Sequence, residues 1–205
     1  MAALDLKKRI ATYRAPHGRF EIVDVAPARF LMIDGHGDPN TAAAYSDALA
    51  TLYPVAYALK FLSRNDLDRD FTVMPLEALW WSEDMSAFTA SRDKDRWSWT
   101  AMILTPDWLT DEHVAEAVAA AGRKGRAPAL DRLRMDTLEE GLAVQILHLG
   151  PYDAEGPVLA AMHETFIPAN GLRMTGRHHE IYLGDPRRAA PERLRTILRQ
   201  PVARP

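Results

Sequence analysis

Arg29-Phe-Leu-Met-Ile-Asp-Gly-His-Gly-Asp-Pro39 has an echo later in the chain, Leu142-Ala-Val-Gln-Ile-Leu-His-Leu-Gly-Pro-Tyr-Asp153, and this pair decides the fold. Each copy is a short apolar run followed by a Gly-containing turn. Each then leads into a helical pattern that carries a proline, Pro54 in the first and Pro168 in the second. Self-similarity of this kind marks a duplicated unit. Two copies build a scaffold with approximate two-fold symmetry, and the seam between them is a natural place for a pocket.

Working outward from the two runs gives the remaining elements. Leu4–Tyr13 holds at most a short helix, and Phe20–Val25 reads as a strand. After the strand Phe30–Ile33, Gly35 and Gly37 form a turn. Asn40 or Thr41 then caps a helix, Ala42–Phe61, which Pro54 should kink or divide. Phe71–Met74 and Glu77–Trp81 look extended. Trp97-Ser-Trp-Thr-Ala-Met-Ile-Leu104 is the clearest strand. Its alternation puts Trp97, Trp99 and Ala101 on one face, and Ser98, Thr100 and Met102 on the other. The polar stretch Ser82–Arg96 reads as a hairpin loop. Thr110 caps a helix through Ala121, the basic Gly122–Pro128 is a joint, and a short helix near Leu130–Leu133 follows. The second unit runs through strand Leu142–Leu149, helix Ala154–Phe166 and strand His178–Leu183, with Pro191–Ile197 as a final helix. The expectation is an α+β protein of duplicated β-α-β-β units, with helices on one side of an antiparallel sheet. It forms a single domain over 1–205: repeat one about 20–104, linker helices 105–138, repeat two about 139–202.

Composition narrows the function. The 205 residues are 47% hydrophobic with a net charge of −3, ordinary values for a soluble globular chain and poor ones for bulk DNA binding. With 28 residues before the first repeat strand and no helix-turn-helix pattern, no direct nucleic-acid partner is expected. The absence of cysteine removes disulfides, thiolate nucleophiles and Cys-ligated zinc, and suits a cytoplasmic location. No signal-peptide core and no run of roughly 18 apolar residues is present, so no membrane partner is expected. The sequence assigns no oligomeric state.

Two constellations carry chemistry. Trp80, Trp81, Trp97 and Trp99 fall within twenty residues, with Tyr45, Tyr53, Tyr57, Tyr152 and Tyr182 on elements that should face the seam. Stacked aromatic walls bind flat or cationic ligands. An ordinary core is the competing reading for any single ring, but the set is denser than a core needs. In His178-His-Glu-Ile-Tyr182, alternation puts His178, Glu180 and Tyr182 on one face, with His179 and Ile181 on the other. If that first face meets the pocket, Glu180 is a carboxylate among aromatics. Burial there raises its pKa and lets it act as base, acid or countercharge. A solvated strand face is the alternative. His178 and His179 diverge, and no His-x-x-x-His or His-Glu-x-x-His spacing exists, so no metal is expected. Gly-x-Ser-x-Gly, P-loop and dinucleotide signatures are absent, so no cofactor is expected either.

Four segments together resemble one subfamily of the GyrI-like small-molecule-binding domains: Val73-Met-Pro-Leu-Glu-Ala-Leu-Trp-Trp81, Trp97–Leu104, Glu139–Glu155 and His178-His-Glu-Ile-Tyr-Leu-Gly-Asp-Pro186. They span most of residues 20–202. The resemblance implies the tandem SHS2-type repeat and a ligand pocket at its seam. The subfamily is similar to cyclopropanoid cyclopropyl hydrolases, which open the strained ring of flat DNA-alkylating compounds inside an aromatic cage. More distant relatives only bind ligands, and in them a buried carboxylate meets a cationic drug. The resemblance puts Glu180 at that carboxylate, and Ala78 stands where a glycine is expected. It implies a small hydrophobic aromatic ligand, a wall of Tyr57, Trp81 and Trp99, and Glu180 as the residue that positions or activates water. Tyr152, Tyr182 or His178 is the hydrogen-bond donor. The alternative function is binding or sequestration without chemistry.

Overall fold

The computed structural model describes residues 3–82, 94–125 and 127–205. Most of the expected Ser82–Arg96 loop, and Arg126 of the joint, lie outside these. The strands are β1 (Glu21–Val25), β2 (Ala28–His36), β3 (Leu76–Trp81), β4 (Ser98–Leu104), β5 (Arg134–Leu138), β6 (Gly141–Leu149), β7 (Arg173–Met174), β8 (His178–Tyr182) and β9 (Arg195–Ala203). The main helices are α1 (Leu6–Arg9), α2 (Ala43–Asp66), α3 (Asp111–Arg123) and α4, which spans 156–169 and contains a π-helical stretch, Ala161–Phe166. All the strand pairings are antiparallel, in the order β1-β6-β9-β8-β3-β4-β2-β5, with β7 beside β9. This is the α+β fold with a duplicated unit that the two echoing runs imply.

The order is a palindrome of the two units about the β3–β8 seam. The first strand of each unit is exchanged: β1 lies on β6 of the second unit, and β5 on β2 of the first. The copies keep register closely, since β5, β6 and α4 each begin 113 residues after β1, β2 and α2. Each β-α-β-β unit carries one further strand in front of it, β1 in the first copy and β5 in the second, so the full unit is β-β-α-β-β. Residues 105–138, expected as linker helices, contain α3, a 3₁₀ turn at Leu130–Arg132 and strand β5. Pro191–Ile197, expected as a helix, is a 3₁₀ turn followed by the start of β9. Pro54 does not divide α2, which runs unbroken for 24 residues.

Cross-strand register fixes what each face carries. One face bears the row Ile146, Leu198, Glu180, Ala78, Ala101 and Ile33. Both long helices cover it. Leu52, Val55 and Leu59 of α2 are fully buried in the larger core, and Met162 and Ile167 of α4 pack on Val144, Ile146 and Leu198. Gly35 does not turn the chain as expected. It is paired with Trp99 inside the β2–β4 ladder, and a Cβ there would overlap the Trp99 indole. The turn belongs to Gly37 alone, whose φ of 98° requires glycine.

On the other face, the strands at the seam carry buried charge. His179 hydrogen-bonds Glu140 through Nδ1 and Glu77 through Nε2, both at 3.0 Å. Arg199 donates to Glu140 at 2.8 Å, to Gln145 at 3.1 Å and to the Thr12 carbonyl at 2.8 Å. Tyr13 donates to Glu77 in a short bond. Two anions and two cations thus neutralise one another and fasten the N-terminal segment across the seam. Burial opposes the charged form of His179, but Glu140 and Glu77 outweigh it and raise its pKa to about 9. Burial also opposes the Glu140 carboxylate, yet His179 and Arg199 bring it down to about 2.

Two outcomes test this packing. Gly35→Ala should lower the melting temperature by several degrees, because overpacking of this kind costs about 1–3 kcal/mol; an unchanged melting temperature would mean Trp99 is free to move. The folded pKa of His179 lies above the ring's ordinary 6.5. Its stabilisation is therefore complete below that value and is lost as pH climbs through about 9. The melting temperature should fall between pH 7 and 10, and less so in His179→Gln; parallel profiles for the two proteins would remove His179 as the cause.

Candidate functional site in a cavity over the seam

A cavity of about 1150 Å³ lies on the helix-covered face, between α2 and the start of α4. One wall is a stripe of α2 at intervals of four: Tyr45, Leu49, Tyr53 and Tyr57. This spacing puts the four side chains on one side of the helix. The opposite wall is Tyr152, Glu155, Leu159 and His163, from the turn before α4 and from α4 itself. Trp80, Glu180 and Tyr182 form the floor, with Trp97 beside them and Lys94, Asp185, Arg187 and Arg188 among the lining residues. The Arg187 and Arg188 side chains are exposed and both pair with Asp185.

The floor is rigid for identifiable reasons. The Trp80 ring stacks on Tyr45 at 6.0 Å and meets Trp97 edge-on at 5.7 Å, while Tyr45 meets Trp99 edge-on at 4.9 Å. Trp80 Nε1 donates to the Tyr182 hydroxyl at 3.0 Å, and that hydroxyl donates to Glu180 Oε2 at 2.7 Å. His178 Nε2 lies 3.5 Å from Glu180 Oε1. A tyrosine has one hydroxyl proton. Tyr182 gives its proton to Glu180, so it has none left for a ligand. Burial and the nearby Glu180 raise the pKa of Tyr182 and of Tyr45. Burial, then Glu155 and Glu180, raise that of Tyr152 to about 12. All three are neutral phenols at pH 7. The Tyr152 hydroxyl makes no hydrogen bond among the described residues, and its ring meets Tyr182 edge-on at 5.5 Å. Of the two tyrosines named as candidates, it is the one whose hydroxyl proton is not given to another described residue.

The expected site residues divide. Glu180, Tyr182, Tyr152 and Tyr57 come together at the cavity, with Tyr57 half-exposed. Trp81 does not. It pairs with Ser98 and lies on the opposite face of β3 from Trp80, with the Arg177 guanidinium 3.6 Å above its ring. Trp99 is fully buried beneath Tyr45 and outside the cavity lining, so it supports the wall rather than forming it. His178 also stays out of this lining and instead borders a smaller cavity behind Trp80. Glu155, 4% exposed, is a second carboxylate that the sequence reading passed over. Among the described residues no three His, Asp or Glu side chains converge on one point as metal ligands. No helix of the described residues is long and apolar enough to cross a membrane.

Known proteins share this fold. The model of the GyrI-like small molecule binding domain matches residues 19–203. A conserved uncharacterized protein from Listeria innocua is 40% identical, with a TM-score of 0.88 over 98% of this chain and 100% of its own. A hydrolase encoded by lin2189 from the same organism is 38% identical, with a TM-score of 0.87 over the same shares. The C-terminal domain of EcmrR, at 10% identity and a TM-score of 0.57 over 91% of this chain and 98% of its own, shares the fold. Among curated protein sequences none matches. The exchanged repeats, the seam cavity and the matched span lead to one assignment: the chain belongs to the family of GyrI-like small molecule binding domains.

Proposed function

We propose that the protein is a hydrolase that binds flat, hydrophobic aromatic compounds and opens an activated cyclopropane by adding water. In a cell this is cytoplasmic detoxification of a DNA-alkylating xenobiotic, and hence resistance to it. The observation that carries the reading is the chain Trp80→Tyr182→Glu180, which holds a carboxylate in one orientation on the floor of an aromatic-walled cavity. The 38% identity to a Listeria innocua hydrolase supports an enzyme.

A spiro-cyclopropyl dienone is an electrophile restrained by conjugation. Water attacks the cyclopropane CH₂. A C–O bond forms, a cyclopropane C–C bond breaks, and its electron pair flows into the ring, which becomes a phenolate. The water proton passes to Glu180. The Tyr152 hydroxyl donates to the former carbonyl oxygen as negative charge gathers there. A pKa of about 12 makes Tyr152 a donor that stays protonated at neutral pH. A preset donor aimed at the developing charge is the arrangement that stabilises such an oxyanion. Tyr45, Tyr53, Tyr57 and Trp80 hold the ligand plane. The proton held by Glu180 then passes through solvent to the phenolate, which restores the Glu180 carboxylate and leaves the phenol carrying a primary alcohol as product.

The second reading is capture without chemistry. Glu155 and Glu180 give the cavity two buried carboxylates, which suit a countercharge role toward a cationic aromatic.

Mass spectrometry of a duocarmycin-type alkylator after incubation with the protein separates the two. The expected result is a gain of one water. Glu180→Gln should lower turnover by about 100-fold or more while the ligand still quenches tryptophan fluorescence; full turnover in this variant would remove Glu180 from the chemistry. Intact compound with quenching would leave a binding protein. Tyr152→Phe should cost about 10²–10³-fold in kcat with little change in affinity, whereas Tyr152→Phe at the wild-type rate would assign the donor elsewhere.

A further inference from the structure

Behind Trp80 lies a second cavity, of about 290 Å³, which shares Trp80 and His163 with the large one. Its remaining lining includes His178, Gln200, Thr175 and Arg177. The volume has room for several water molecules, and the walls offer polar partners. Gln200 is 4% exposed and donates to the Thr175 and Pro201 carbonyls at 2.9 and 3.2 Å.

His163 stands at the partition and is unusual in three ways. It is 9% exposed, yet its Nε2 has no hydrogen-bond partner among the described residues. Burial, reinforced by the neighbouring His178, lowers its pKa to about 4, so at neutral pH the ring is uncharged and Nε2 seeks a neutral partner. It also sits in the π-helical stretch of α4, where Met162 and His163 are both turned inward. A π stretch has poorer hydrogen bonding than an α-helix and recurs at functional sites. Its ring meets His178 edge-on at 6.0 Å, and His178 in turn lies 3.5 Å from the Glu180 carboxylate. His163 thus borders both cavities, and His178 borders the small one while lying 3.5 Å from the Glu180 carboxylate.

We propose that the small cavity is the water store of the reaction and that His163 is the positioning residue that passes water from it to Glu180. The inference rests on the hydrolase reading above. A flat ligand seated on Trp80 fills the large cavity and displaces water from its floor. The nucleophile then has to reach Glu180 past His178, which borders the small cavity and lies 3.5 Å from the Glu180 carboxylate. Neutral imidazole suits this role, since it both accepts and donates a hydrogen bond without competing for the Glu180 charge.

Two variants test the store from opposite ends. His163→Phe keeps the ring size and removes the polar atoms at the partition. Thr175→Phe obstructs the small cavity from a residue that does not line the large one. The readouts are kcat for hydration of the alkylator and its affinity by tryptophan quenching. Both variants should lose at least about tenfold in kcat, and Thr175→Phe, which lies outside the ligand cavity, should keep its affinity within about twofold of wild type. His163→Gln, which keeps a hydrogen-bonding side chain, should recover part of the loss. Wild-type kcat in both Phe variants would overturn the water store and leave the hydrolase reading intact. A wild-type protein that binds the alkylator and never hydrates it would overturn the hydrolase reading, and the store with it.

Discussion

The two units are joined where β3 meets β8, and the constraint there is that four buried charges must cancel. Glu77, Glu140, His179 and Arg199 come from β3, the β5–β6 turn, β8 and β9, and none is more than slightly exposed. Removing any one leaves the buried cluster with a net charge, and breaking a buried pair in this way costs about 3–5 kcal/mol. The strands are therefore held in one register. Since a strand presents alternate residues to opposite faces, fixing His179 toward the charges also fixes Glu180 toward the cavity. A slip of one residue would exchange them. The electrostatics of one face set the chemistry available on the other.

Much of this was legible from residue order alone. The β2 and β6 runs announced the duplication, and period-2 alternation placed Glu180 and Tyr182 together with His179 behind them. What escaped had physical causes. Strand β5 is an edge strand whose Asp136 and Thr137 are exposed, so its composition looks like a connection. Strand β9 carries Arg199, Gln200 and Pro201, which argue against a central strand until their partners are known: Glu140 and Gln145 for the arginine, Thr175 for the glutamine. Alternation within β3 separates Trp80 from Trp81 but does not say which of them meets the ligand. Only the pairing of Trp80 with Trp99 across the ladder, and the packing of Tyr45 on both, puts Trp80 rather than Trp81 on the cavity side. Glu155 gave no signal, because a carboxylate in a polar turn reads as solvated until α4 folds over it.

The cavity itself comes from a difference between the copies. Helices α2 and α4 start at equivalent points, but α2 runs for 24 residues while α4 ends at residue 169 and contains the π stretch. The long helix supplies a regular stripe of tyrosines. The short one leaves room beside it and contributes the carboxylate and imidazole of the far wall. Binding surface and polar groups are thus divided between the units, with the ligand space between them.

The exchange of β1 and β5 has a consequence for ancestry. A lone β-β-α-β-β unit would lack the strand that its partner lends it, and two identical units with exchanged first strands would complete each other. Such a pair is bound by symmetry to repeat every substitution on both sides of its axis. Fusion into one chain released that bond. In one chain the equivalent positions differ freely: residue 155 is a buried glutamate, and its counterpart 113 residues earlier, Ala42, is a plain start for a helix. On this view the two-sided cavity records the point at which a symmetric dimer became free to be asymmetric.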